Sequence, residues 1–229
     1  MASEILYTRQ EGIIPLKKIR PRRVTLIGAG AVGSFGALIV SKMGVGYIEC
    51  WDDDGVNAHN LPNQFYRKKD IEYSKSDSLQ DILCDFTDAI VVVHEQRYTS
   101  QNMEEIVIVA TDSMSSRRNI WEQFQKKKNP KILIEARMGG ELGMVYVIQK
   151  NPKTGKVPAK TAAFYESRLY RDEDVPELPC TERSIIYNVA GLATWICRAL
   201  KGIIVGEKVP KEIIVNFTSW DSRALMFTE

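Results

Sequence analysis

Short runs of valine and isoleucine recur along the chain: VTLIG from Val24, GYIECW from Gly46, AIVVVH at 89–94, IVIVA at 106–110 and KILIEA at 131–136. Between them lie segments at 31–43, 74–86 and 114–127 in which apolar residues return every three or four positions. Continuous apolar strands alternating with amphipathic helices predict a parallel sheet covered on both faces. In the first of these helices Val32, Phe35, Ile39 and Met43 fall at helical spacing and are expected to press on the sheet. The pattern changes after Ala136. GMVYVIQK at 143–150 follows a glycine pair with no room for a helix, which predicts an antiparallel strand. Residues 151–179, rich in Lys, Pro, Asp and Glu, are expected to form an exposed crossover loop, long enough to be functional or mobile. TERSIIYNVAGLATWICRALKG then supplies a long apolar helix, and EIIVNFTSW one more strand.

The first strand runs into GAGAVG. Gly28 permits the tight turn, Gly30 lets a phosphate approach the backbone, and Gly33 lets the helix pack closely on the strand. Asp52 ends the second strand, where a carboxylate accepts hydrogen bonds from a ribose diol. The expected fold is therefore α/β: a Rossmann-like, mainly parallel sheet flanked by helices, with antiparallel strands in the C-terminal part. NAD and ATP fit these features equally well.

Composition narrows the classes. The 229 residues, 44% of them apolar, are enough for one domain spanning 1–229 with an N-terminal arm at 1–20. Thirty-one basic against 29 acidic residues leave a net charge of +2, so no whole-protein footprint for nucleic acid or membrane is expected. The N-terminus lacks a signal-peptide core, and no run approaches the ~18 apolar residues of a spanning helix, which makes a cytoplasmic location the expectation. Cysteines 50, 84, 180 and 197 contain no C-x-x-C pair, so no zinc is expected. Cys50, Cys84 and Cys197 are expected to be structural, and His59 and His94 have no ligand partners at useful spacing.

The segment CWDDDGVNAHNLPNQFYRKKDIEYSK decides between the nucleotides. It resembles the D-x-D-x-V-x-x-x-N-L-x-R-Q … K pattern of the ThiF, MoeB and HesA family, ATP-dependent adenylating enzymes related to the ubiquitin-activating enzymes. Asp52, Asp54, Val56, Asn60, Leu61, Gln64 and Lys75 match in order. VATDSMSSRRN resembles the family's T-D-N-x-x-x-R segment, and EARMGGELGMVYVI its glycine-containing turn into an antiparallel strand. The resemblance spans roughly residues 5–200, and one position departs from it: the arginine before the glutamine, a phosphate contact in the family, is Asn63 here. Arg67 or Lys68 would have to replace it.

The resemblance implies ATP and Mg²⁺ as cofactors, with Asp112 as the magnesium carboxylate and Arg117 as the following arginine. Gly28, Gly30, Gly33, Asp52, Asp54, Asn60, Gln64 and Lys75 would bind the nucleotide, and Lys75 would also face the reacting phosphate. Taken alone, Asp112 reads first as a helix N-cap, and the resemblance reverses that order. YTRQ resembles a family element whose arginine enters the neighbouring subunit's site, so Arg9 would act in trans within a homodimer. Cys180, in LPCTERS at the expected start of the last long helix, would have its thiol pKa lowered by the helix dipole and could capture an acyl group. Arg137, in EARMGG after a strand, could touch a substrate carboxylate or pyrophosphate. The implied substrate is the C-terminal glycine of a small ubiquitin-like or sulfur-carrier protein, threaded under the crossover. The competing readings are an NAD-dependent oxidoreductase and a nucleotide-binding scaffold with a degraded site.

Overall fold

The computed structural model describes residues 2–171, 173 and 184–225. An eight-stranded sheet runs through them: β1 (Arg23–Ile27), β2 (Tyr47–Trp51), β3 (Ile90–His94), β4 (Ile106–Val109), β5 (Ile132–Gly139), β6 (Leu142–Gln149), β7 (Glu212–Asn216) and β8 (Asp221–Leu225). Its order is β3-β2-β1-β4-β5-β6-β7-β8. The first five strands pair in parallel, and β5 to β8 pair antiparallel. The expected mixed α/β sheet is thus observed, with β8 added beyond the strands that the apolar pattern foretold. Every residue of β4 is buried, as a strand covered on both faces requires.

The helices are α1 (Ala2–Tyr7), α2 (Leu16–Ile19), α3 (Ala31–Lys42), α4 (Lys75–Phe86), α5 (Met114–Lys126), α6 (Ala159–Glu166) and α7 (Ile186–Val205). One face of the sheet is covered by α3 and α7 through residues such as Leu26, Val40, Ile108, Leu192 and Ile196. The other face is packed by Val107, Leu133, Trp121, Phe124 and Tyr165, with α5 and α6 above it. By length and composition α7 could cross a membrane, contrary to the count of apolar runs, but Val189, Leu192, Ile196 and Leu200 on it are completely buried in the core.

Four local expectations change. Val32 is buried as expected and shares the buried side of α3 with Gly33, Gly36, Ala37 and Val40, while Phe35, Ile39 and Met43 are only half-buried. Small residues win because α3 is pressed close: a Cβ on Gly33 would stand 1.9 Å from the Gly28 carbonyl oxygen, and the Cys197 thiol reaches the Gly36 carbonyl. The 151–179 crossover contains α6, whose Tyr165 is almost wholly buried against Trp121. Helix α7 starts at Ile186 after extended backbone at Ile185, so it cannot run back unbroken to the cysteine region. Cys84 lies on the exposed side of α4, whereas Cys50 and Cys197 are buried as expected.

Candidate functional site

The strand order reverses between β1 and β4, and the loops leaving the C-terminal ends of β1, β2 and β4 meet there, as at the ligand crevice of open α/β sheets. Gly28 adopts φ +93°, and a Cβ there would lie 2.6 Å from the Ala110 carbonyl oxygen, so the turn after β1 is built against the end of β4. Only glycine satisfies both demands. Gly30 has nothing within 4 Å of where a Cβ would stand, which leaves open space over the first turn of α3.

Asp52 organises this turn. Its two carboxylate oxygens accept the N–H of Ala29 at 2.6 Å and of Asp54 at 2.9 Å. Burial pushes the Asp52 carboxyl above the usual range, and those two N–H bonds pull it back. Each oxygen keeps a further lone pair for a diol. Tyr66 closes the turn from above, donating to the Ala29 carbonyl at 2.6 Å and approaching that of Lys75 at 3.2 Å. Lys75, nearly buried at the start of α4, pairs with the exposed Asp54 at 2.7 Å. Asn60 accepts the Asn57 N–H at 2.9 Å and so holds the loop after β2 in shape. Gln64 has a buried side-chain oxygen with no hydrogen-bond partner, an acceptor waiting for a donor in a segment pinned to α3 through the Phe65 N–H and the Ser34 hydroxyl.

Beyond β4, Asp112 is exposed and its carboxylate makes no hydrogen bond or ion pair among the described residues. The N-cap of α5 is Ser113, whose hydroxyl accepts the Ser116 N–H at 3.3 Å. The cap explanation of Asp112 is therefore removed. Ser113→Ala should cost about 1 kcal/mol, a Tm drop of roughly 2–4 °C in thermal melts, and removal of the Asp112 side chain should cost almost nothing. Among the described residues no three His, Cys, Asp or Glu gather as a metal cage. A magnesium ion at Asp112 would then draw its other ligands from phosphates and water, which is the usual way that ion is held.

Sequence reasoning missed a buried network beside Asp112. Glu135, fully buried on β5, accepts Tyr165 through its hydroxyl and Arg137 through Nε, and Arg117 Nε lies 3.2 Å from it. Arg117 also donates to the carbonyls of Thr111 and Asp112, so it fastens the loop that presents Asp112 to the middle of the sheet. The alternation of Glu135 and Arg137 in an otherwise apolar strand was the available signal, because residues two apart share a face.

The other predicted positions are scattered. Arg67 is engaged by Asp70, Asp81 and Asp85 and cannot stand in for the missing arginine, and Lys68 is exposed. Asn63 donates to the Ser184 hydroxyl, while Ser184 bridges to Gly140. Arg9 is exposed beside Gln10, which donates to Met43 at the far end of α3. Twelve helical residues separate that end from the glycine turn, or about 18 Å, so Arg9 does not belong to the site of its own chain. Cys180 lies outside the described residues. His94 stacks on Trp51 at 3.7 Å and contacts Glu49, a packing role.

The ThiF family model matches residues 4–226. The sulfur carrier protein ThiS adenylyltransferase of Escherichia coli is 27% identical over 184 residues, covering 77% of this chain and 69% of that protein. The ubiquitin-like modifier-activating enzyme 5 of Caenorhabditis elegans is 28% identical over 102 residues, covering 44% of this chain and 24% of that one, so the match spans about a quarter of the relative. Among solved structures, PaaA superposes with a TM-score of 0.77 at 17% identity, over 99% of this chain and 84% of PaaA, a likeness of fold.

Proposed function

Because the chain belongs to the ThiF family, we propose that it is an ATP-dependent adenylyltransferase that activates a carboxylate. The carboxylate would be the C-terminal glycine of a small ubiquitin-like or sulfur-carrier protein, the class of partner named for its relatives. The observation that carries this reading is Asp112: a carboxylate at the end of β4, held in place by Arg117 through the backbone and used for nothing structural.

In this reading the nucleotide lies over the Gly28–Gly30 turn, with its ribose on Asp52 and its phosphates toward the first turn of α3. Asp112 would supply a carboxylate oxygen to Mg²⁺, which when bound neutralises charge on phosphate oxygens. Lys75 faces the α-phosphate once it turns from Asp54. The carrier's carboxylate oxygen attacks the α-phosphorus, the bond to the bridging oxygen breaks, and pyrophosphate leaves with the electron pair. The products are an acyl-adenylate and pyrophosphate. The preorganised turn and the buried lysine stabilise charge without rearranging water.

Arg9, too far from its own turn, would complete the site of a second copy. Ile5, Leu6 and Ile13 on the same arm are 76%, 65% and 64% exposed, apolar surface that a homodimer would cover. Cys180 as acyl acceptor remains part of the proposal, resting on its Cys-Thr sequence alone. Incubation with ATP, magnesium and carriers ending in Gly-Gly, followed by intact-mass analysis, is expected to show a carrier heavier by one AMP. No adduct and no carrier-dependent pyrophosphate exchange with any such carrier would reject the carrier assignment.

A further inference from the structure

A site that gathers a polyphosphate and a carboxylate needs cations, and those around the glycine turn are already engaged. Lys75 is paired with Asp54, Arg67 with three aspartates, and the place of the family arginine is taken by Asn63, whose amide goes to Ser184. Arg137 stands differently. The β4–β5 register sets Val109 opposite Glu135, so two residues further on Arg137 comes level with Thr111, next to Asp112. Its side chain is 8% exposed. Nε donates to Glu135, Nη1 donates to the Arg168 carbonyl, and the guanidinium lies 4.5 Å over the Tyr146 ring. Nη2 is buried and has no hydrogen-bond partner.

Guanidinium offers five N–H donors and never gives up its charge, so a buried edge left without an acceptor is costly. The single carboxylate on Arg137 among the described residues, Glu135, is shared with Tyr165 and Arg117. The Thr111 hydroxyl, one residue before Asp112, is likewise buried with no partner. Two orphaned polar groups thus sit at the ends of adjacent strands, beside the carboxylate assigned to the reacting phosphates.

We propose that Arg137 is an anion-binding residue of this site, its open Nη2 edge receiving an oxygen of an oxyanion brought by the reactants and supplying the positive charge that position 63 lacks. The anion has two sources, the polyphosphate that leaves as pyrophosphate and the carboxylate of the acyl donor. This rests on the adenylation reading for the source of the anion, though not for the presence of an anion site. The Arg168–Tyr170 stretch, two of whose carbonyls are held by Arg137 and Arg118, lies against the guanidinium, so the anion would enter beside this stretch.

The test uses the full chain and the variants Arg137→Gln and Arg137→Lys, with inorganic pyrophosphate, ATP and AMP titrated calorimetrically and KM for the carrier measured separately. If the polyphosphate is the anion, Arg137→Gln weakens pyrophosphate and ATP by about ten- to hundredfold and leaves AMP within twofold, and Arg137→Lys recovers part of the loss. If the carboxylate is the anion, ATP affinity holds while KM for the carrier rises by a similar factor at constant kcat. Unchanged pyrophosphate, ATP and carrier constants in both variants would overturn the inference and leave adenylation standing. Should the wild type bind no nucleotide, adenylation falls, and pyrophosphate binding to wild type but not to Arg137→Gln would still support the anion site. If Arg137→Gln does not fold, Arg137→Lys decides by the same ratios.

Discussion

Replacing Asp112 by alanine is expected to lower pyrophosphate exchange by at least about a hundredfold while leaving Tm within about 2 °C. The two halves of that result have separate causes. The carboxylate touches nothing in the described protein and Ser113 caps α5, so the fold loses no contact with it. Catalysis loses the carboxylate at the end of β4 that no described residue engages, where charge on phosphate oxygens must be neutralised. Asp112→Asn should behave like alanine, because an amide oxygen holds the shape and discards the charge. Exchange within threefold of wild type in both variants would show that the reacting phosphates lie elsewhere.

The largest stability effect is expected at Glu135. Glu135→Ala withdraws a fully buried carboxylate from two guanidiniums and the Tyr165 hydroxyl, which leaves buried charge without compensation. Breaking a buried ionic cluster from one side costs about 3–5 kcal/mol, which at this chain length is a Tm loss on the order of 10 °C. Glu135→Gln should fall between, since it retains the hydrogen-bond geometry without the charge. The same variant ties stability to function, because Arg117 and Arg137 would both shift and Arg117 holds the Asp112 loop. A thermal melt of Glu135→Ala that overlays the wild type would mean the cluster is no internal prop.

The parallel core was written plainly in the chain because strands covered on both faces are nearly continuously apolar, as IVIVA is throughout and VTLIG is but for Thr25. The glycine turn was equally plain, since a left-handed residue against the end of β4 leaves no choice of side chain at Gly28. What stayed hidden was tertiary. Helix α6 sits in a stretch whose Lys and Pro suggest a loop, and it is fixed by the burial of Tyr165 on Trp121 rather than by its own periodicity. The face of α3 was read correctly at Val32 and only in part elsewhere, because close approach to the sheet and α7 selects the smallest side chains, while the larger Phe35 and Ile39 are displaced to the half-buried flank. Cys84 resembled a core residue only while the face of α4 was unknown. Arg137 stood out in the sequence as a candidate anion contact, but its buried partner Glu135 did not, since sequence alone does not reveal that both faces of β5 are covered there.

The central claim is that the turn at Gly28–Gly33 serves ATP together with Asp112, and calorimetric titration of ATP with and without Mg²⁺, against NAD⁺ and NADH, tests it most directly in the wild type and Asp112→Ala. Tight ATP binding that needs magnesium and is weakened in the variant, with no heat from either dinucleotide, is the predicted result. Tight NAD⁺ or NADH binding indifferent to the loss of Asp112 would contradict it and make the chain a redox protein that carries the fold of adenylating enzymes without their chemistry.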